Sequence, residues 1–217
     1  MSKKRQTAED FCDSIDSDLS WRKKELINTK SSVETAKAKA QAVEIRKGTL
    51  LLYAHWEGFI KASAIAYLNY IVGLGLKKRE LRENFLYIMF RHDFMQCADS
   101  PKMHVHINAI QKLTSDLDSH VNFPVQEQIK TCSNLKYDIL VDIFLTLGID
   151  YERYSSKEQF INQRLLDTRN SIAHGNYLCV TKDEFLESYS IVFELLENIK
   201  TDLQNACVEK RYLRSSA

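Results

Sequence analysis

Apolar residues recur at helical spacing along nearly the whole chain. In the N-terminal third, Phe11, Ile15, Leu19, Leu26 and Val33 share one face, and Thr7 with Asp10 forms an approximate N-terminal cap. The pattern predicts a helix from about Ala8 to Lys47. The Ala36–Ala42 segment alternates Ala and Lys but has few β-branched residues, so helix stays favoured there, and Gly48 is the first candidate break. Thr49–Val72 is apolar nearly all round, which is the character of a helix surrounded by others; Gly73 and Gly75 close it. The stretch from Lys77 to about His120 is more polar and reads as two shorter helices parted at Pro101. Phe123-Pro124 falls in a loop. Ser133-Asn134 then reads as the cap of a helix running to about Leu147, stopped by Gly148. Ser155-Ser156-Lys157-Glu158 has the capping-box pattern and opens a helix with Phe160, Ile161, Leu165, Leu166, Thr168 and Ile172 turned inward, ended at Gly175. A second such box, Thr181 to Glu184, starts a last helix through Phe185, Leu186, Tyr189, Val192, Phe193, Leu196, Ile199 and Leu203. Together these predict an all-α, mostly antiparallel helical bundle with long N-terminal helices, a single domain over residues 1–217.

Composition agrees with that class. Hydrophobic residues make up 44% of the chain, enough for a substantial core, while 6 Gly and 2 Pro leave little for a loop-rich or all-β design. The net charge of +1 gives no global basic field, so any phosphate binding has to come from a local patch. Lys3, Lys4 and Arg5 at one end, and Lys210, Arg211 and Arg214 at the other, read as solvated tails. Cys12, Cys97, Cys132, Cys179 and Cys207 are scattered and odd in number, which argues against a disulfide framework and against zinc; they read as reduced thiols of a cytoplasmic protein. Met1 to Gln6 leads into acidic, polar sequence without an apolar core, so no secretory signal is expected. Leu50–Val72 is long enough to span a bilayer, but it carries His55, Glu57 and Lys61. Each charge at mid-membrane would cost about 2.5–3.5 kcal/mol, so a buried central helix is expected and no membrane association.

The chemistry concentrates in Arg169-Asn170-Ser171-Ile172-Ala173-His174-Gly175. The imidazole of His174 can move a proton and the guanidinium of Arg169 can grip a phosphate bidentately, with Asn170 free to orient either. At a helix C-terminus His174 sits where positive charge is stabilised. The same residues also serve simply to satisfy the last carbonyls of a helix. Residues five apart point about 140° from each other, so one helix does not aim both at one phosphate; a two-fold dimer with this helix end on its axis would. Both side chains are expected to be largely exposed. His55 and Glu57 interrupt the apolar helix, with an intrahelical Glu57–Lys61 pair as the simple explanation and a place lining the same cleft as the functional one. His92, Cys97, His104 and His106 match no metal-binding spacing, and no metal or cofactor is implied. Arg79, Arg82 and Arg91 with Tyr87 and Phe90 could give an RNA-facing stripe, although a solvated face over a buried aromatic side accounts for them more simply. Phosphate-binding glycine loops and the serine-hydrolase elbow are missing from the sequence.

The Arg169-to-Gly175 segment resembles the Arg-x(4–6)-His signature of the HEPN superfamily (higher eukaryotes and prokaryotes nucleotide-binding). Leu51 to Ile60, Ser133-Asn134-Leu135-Lys136 and Ile161 to Asp167 resemble a bacterial branch of HEPN-like nucleases linked to toxin–antitoxin and defence loci, so the likeness runs from about Gly48 to Leu213. The resemblance implies a helical bundle that dimerises around a composite site, and metal-independent RNA cleavage by 2′-hydroxyl attack. It implies His174 as the proton-transfer group, Arg169 as the phosphorane-stabilising group and Asn170 as an orienting residue. It also implies a cognate antitoxin or nucleotidyltransferase as a possible partner. The alternative it leaves open is a catalytically inactive module that binds nucleic acid or a partner protein.

Overall fold

The computed structural model describes residues 6–214; Lys3, Lys4 and Arg5 lie outside them. The long helices are α1 (Ala8–Thr35), α2 (Ala38–Gly73) and α7 (Lys182–Val208), and the shorter ones α3 (Glu83–Asp99), α4 (Met103–Ser115), α5 (Tyr137–Leu147) and α6 (Thr168–Ala173). There is no sheet among the described residues, only two isolated bridges, Lys77 with His120 and Leu81 with Leu213. The class is all-α.

Capping boxes start α1 at Thr7 and α7 at Thr181. The break after α1 comes earlier than the periodicity suggests. Ala36 and Lys37 are both extended, and Gly48 lies inside α2. Two effects place the turn there. The Thr29, Ser32 and Thr35 hydroxyls bond back to carbonyls four residues earlier, which weakens the end of a helix. More decisively, Val33 and Ile45 are both buried, and one straight helix could not carry both apolar stripes onto one core.

Contacts fix the directions of the three long helices. Phe11 meets Tyr67 and Tyr70, Trp21 meets His55, and Thr29 faces Gly48, so α1 and α2 are antiparallel. Lys200 pairs with Asp16 and Gln204 bonds Cys12 O, so α1 and α7 are antiparallel as well. It follows that α2 and α7 run parallel. The middle of α2 is buried nearly all round because it packs against α1, α5, α6 and α7 together. No helix among the described residues is long and apolar enough to cross a membrane.

At Gly48, α2 packs closely on Phe185 of α7. A Cβ there would stand 2.7 Å from Cε2 and 2.9 Å from Cζ of Phe185, whose ring is fully buried. Gly48→Val is expected to destabilise the fold by about 1–3 kcal/mol. At about 2–4 °C per kcal/mol for this size, a thermal melt reads it directly, and an unchanged melt would contradict the close packing.

Three other expectations shift. Ser155 and Ser156 lie within a 3-10 turn, Glu152–Lys157, and form no capping box; the chain then runs as a π-helix over Phe160–Asp167 before α6. Ser133-Asn134 caps nothing, since α5 begins at Tyr137 with Lys136 as its cap residue. The C-terminal basic residues are docked, with Arg214 paired to Glu83 and its N–H donating to Glu80 O, and Arg211 paired to Glu209.

Candidate active site

The π-helix sets the approach to the Arg169–His174 segment. Phe160 and Leu165, and Ile161 and Leu166, are buried pairs spaced by five, the repeat an i→i+5 helix keeps on one face. Arg169 and Asn170 follow in the first turn of α6, and His174 is its C-cap. Gly175 adopts φ +79°, with nothing near where a Cβ would be, so the backbone conformation alone calls for glycine. The end is a Schellman motif: Gly175 N–H donates to Ile172 O at 3.1 Å and Asn176 N–H to Ser171 O at 3.0 Å. Arg46 of α2 donates to Asn176 O at 3.0 Å, which ties the turn after His174 to the central helix.

Arg169 is held from three sides. Its guanidinium lies over the Tyr53 ring, 4.5 Å from the centroid. Its Nη1 donates to Asn170 Oδ1 at 2.7 Å and, more weakly, to Ser133 O at 3.4 Å. Asn170 Nδ2 donates to Asn134 Oδ1 at 3.2 Å. The turn that receives these bonds is strained, with Cys132 at φ 52° and Ser133 at φ 56°. Successive non-glycine residues in the left-handed region cost energy, and such strain persists where surrounding contacts over-determine it. Here the contacts are Asn134 N–H to Thr131 O and Leu135 N–H to Tyr53 Oη at 2.6 Å. Burial pushes the Tyr53 hydroxyl up to about 12; the Leu135 N–H opposes this and the Glu57 carboxylate adds to it. Tyr53 therefore stays a neutral phenol under the guanidinium.

His174 is exposed, and its ring has no protein partner among the described residues. Arg169 is only half-buried, held through Nη1 and the Tyr53 ring, so the expected exposure holds for the histidine and not for the arginine. Glu57 lies one turn from Tyr53 on the Arg169 side of α2, and no Glu57–Lys61 ion pair forms among the described residues. His55 is not brought to this place. It is buried against α1, edge-on to Trp21, with Nε2 2.9 Å from Glu25 but off the line of a hydrogen bond. Burial pulls its pKa down, and Glu25 partly restores it. Among the described residues no three His, Cys, Asp or Glu side chains converge to hold a metal; His106 Nε2 contacts Ser100 O and Cys97 reaches Val105 O.

The family model described as RiboL-PSP-HEPN matches residues 17–205. The chain belongs to the RiboL-PSP-HEPN family. No curated protein and no solved structure matches it. Membership makes it a nuclease-like or nucleotide-binding HEPN module. The matched span contains every residue of the cluster just described: Tyr53, Ser133, Asn134, Arg169, Asn170 and His174. In this HEPN chain, Tyr53 stood out only through the resemblance of its segment, while Ser133 and Asn134 read from the sequence as a helix cap rather than as partners of Arg169 and Asn170. Arg46 gave no signal, since a single arginine on a polar turn of α2 looks like any solvated residue.

Proposed function

We propose that the chain is a metal-independent endoribonuclease acting as a homodimer. The observation that carries this reading is the pairing of a fixed guanidinium, Arg169, with an uncovered imidazole, His174, at the end of the same helix. The ribose 2′-hydroxyl attacks the neighbouring phosphorus; the new O2′–P bond forms and the P–O5′ bond breaks, leaving a cyclic phosphate and a free 5′-hydroxyl. A neutral imidazole takes the 2′-hydroxyl proton, and an imidazolium delivers a proton to the leaving 5′ oxygen. Arg169 carries the charge that builds on the phosphorane, and Asn170 sets the angle of its guanidinium. Arg169 and His174 of one copy diverge by about 140°, and a two-fold pairing of the α6 ends brings both sets to one phosphate. The resemblance supports a toxin or anti-phage defence effector in the cytoplasm, restrained by a cognate antitoxin or nucleotidyltransferase.

The reading is tested by incubating the protein with single-stranded RNA in EDTA. Cleavage is expected to persist and to leave 2′,3′-cyclic ends, because guanidinium and imidazole supply all the chemistry. DNA, and RNA with a 2′-deoxy or 2′-O-methyl sugar at the cut site, are expected to resist. The solution mass at micromolar concentration is expected to be that of two chains. Loss of cleavage on chelation, or cleavage of all-DNA strands, overturns the mechanism; a strict monomer that still cuts overturns the composite site. RNA binding with no cleavage under any of these conditions is the result for an inactive binding module.

A further inference from the structure

We infer that the groove between α3 and the segment running from Gln128 into α5 is a subsite for single-stranded RNA that leads into the Arg169 site. This rests on the endoribonuclease reading above. The groove encloses about 570 Å³ and is lined by Tyr87 and Arg91 of α3, by Gln128, Lys130 and Cys132 of the connection, and by Asp142 of α5. Three observations point to a nucleic-acid strand.

The first is an aromatic platform in water. Tyr87 is 48% exposed and Phe94 42% exposed, and their rings stack at 5.9 Å with an interplanar angle of 13°. Unfilled, such a pair leaves apolar faces wet; a splayed base stacks on them whatever its identity. Phe90, by contrast, is buried in the core.

The second is unused positive charge. Arg91 lies one helical turn from Tyr87 and close to one from Phe94, and neither it nor Lys130 has a hydrogen-bond or ion-pair partner among the described residues. Several other cations are already paired, Lys78 with Asp116, Arg79 with Asp118 and Lys112 with Asp93, and Arg82 donates to Arg211 O. Asp142 is the one carboxylate of the lining. With Arg91 and Lys130 it leaves the lining net positive, as a phosphate backbone requires.

The third is continuity. Cys132, in the groove wall, is followed by Ser133 and Asn134, the residues that receive Arg169 and Asn170. A strand lying on Tyr87 thus runs along the strained turn directly to the guanidinium. A duplex keeps its bases stacked inside and cannot use the platform.

The experiment uses the full chain carrying His174→Ala, so that RNA is held and not cut. Its affinity for a short, mixed-sequence, fluorescein-labelled single-stranded RNA is read by anisotropy. Tyr87→Ala is expected to weaken binding about 5- to 150-fold, the range for losing one stacked base, while Tyr87→Phe restores it. Arg91→Glu with Lys130→Glu is expected to weaken binding too, and to lower the slope of log affinity against log salt by about 1.4, the value for two lost phosphate contacts on a single strand. Duplex RNA is expected to be insensitive to Tyr87→Ala. Tyr87, Arg91 and Lys130 are all exposed, and far-UV circular dichroism checks the fold of each variant. Unchanged single-strand affinity in both variants, beside retained cleavage by the native chain, overturns the groove and leaves the endoribonuclease standing. Loss of dimerisation with Tyr87→Ala at unchanged RNA affinity overturns it in favour of a subunit contact. A native chain that neither binds nor cuts RNA overturns both.

Discussion

Replacing His174 with alanine is expected to lower the RNA cleavage rate about 10²–10⁴-fold, the usual cost of losing a proton-transfer group, and to leave the thermal melt in place. The two halves of this prediction have separate causes. His174 is the exposed cap of α6, and the bonds that end the helix there come from the backbone of Gly175 and Asn176 rather than from the imidazole. Removing the side chain therefore takes away chemistry without touching packing. Because the group is proposed to act on the reacting protons, kcat should fall together with kcat/KM, and added imidazole in the buffer should restore part of the rate. Cleavage at the native rate by His174→Ala would remove His174 from the mechanism.

Arg169→Ala is expected to cost about 10²–10³-fold in rate and, unlike the histidine change, to lower stability as well. The guanidinium rests on Tyr53 and links Asn170 to the Ser133 carbonyl of a turn with two left-handed residues. Losing the cation–π contact alone is worth about 0.5–1 kcal/mol for a group still partly open to solvent, and the turn loses a support against its strain. Arg169→Lys separates the roles. It keeps a charge over the Tyr53 ring but not the planar fork that holds Asn170 and a phosphate together. Stability should recover while most of the rate loss remains. Full activity in the lysine variant would show that only a point charge is needed; an unchanged melt in the alanine variant would show that Arg169 does not brace the turn.

The two variants differ because the two residues, five positions apart in one motif, have unlike surroundings. Nothing in the spacing of Arg169 and His174 distinguishes a half-buried, triply held side chain from an exposed one. The difference comes from Tyr53, 116 positions earlier in the chain, and from Ser133 and Asn134, whose small polar side chains look in sequence like a helix cap. A cap and a docking turn draw on the same residue types, since both need short side chains that bond nearby backbone. Only the position of α5, beginning at Tyr137, tells them apart.

By itself the sequence determined the helical class, the caps at Thr7 and Thr181, the stops at Gly148 and Gly175, the central burial of α2, and the place of Arg169, Asn170 and His174 at a helix end. These are local properties: periodicity, capping side chains and a positive φ are settled within a few residues. Tertiary structure decided the reversal at Ala36-Lys37, the close approach at Gly48, the burial of His55 against α1 rather than beside Arg169, and the sorting of α3 into a buried Phe90 and an exposed Tyr87. Each of these depends on which helix lies alongside. Burial of an apolar face is non-directional and fixes only that some partner must cover it; which partner arrives, and at what register, is set by the long-range packing of α1, α2 and α7.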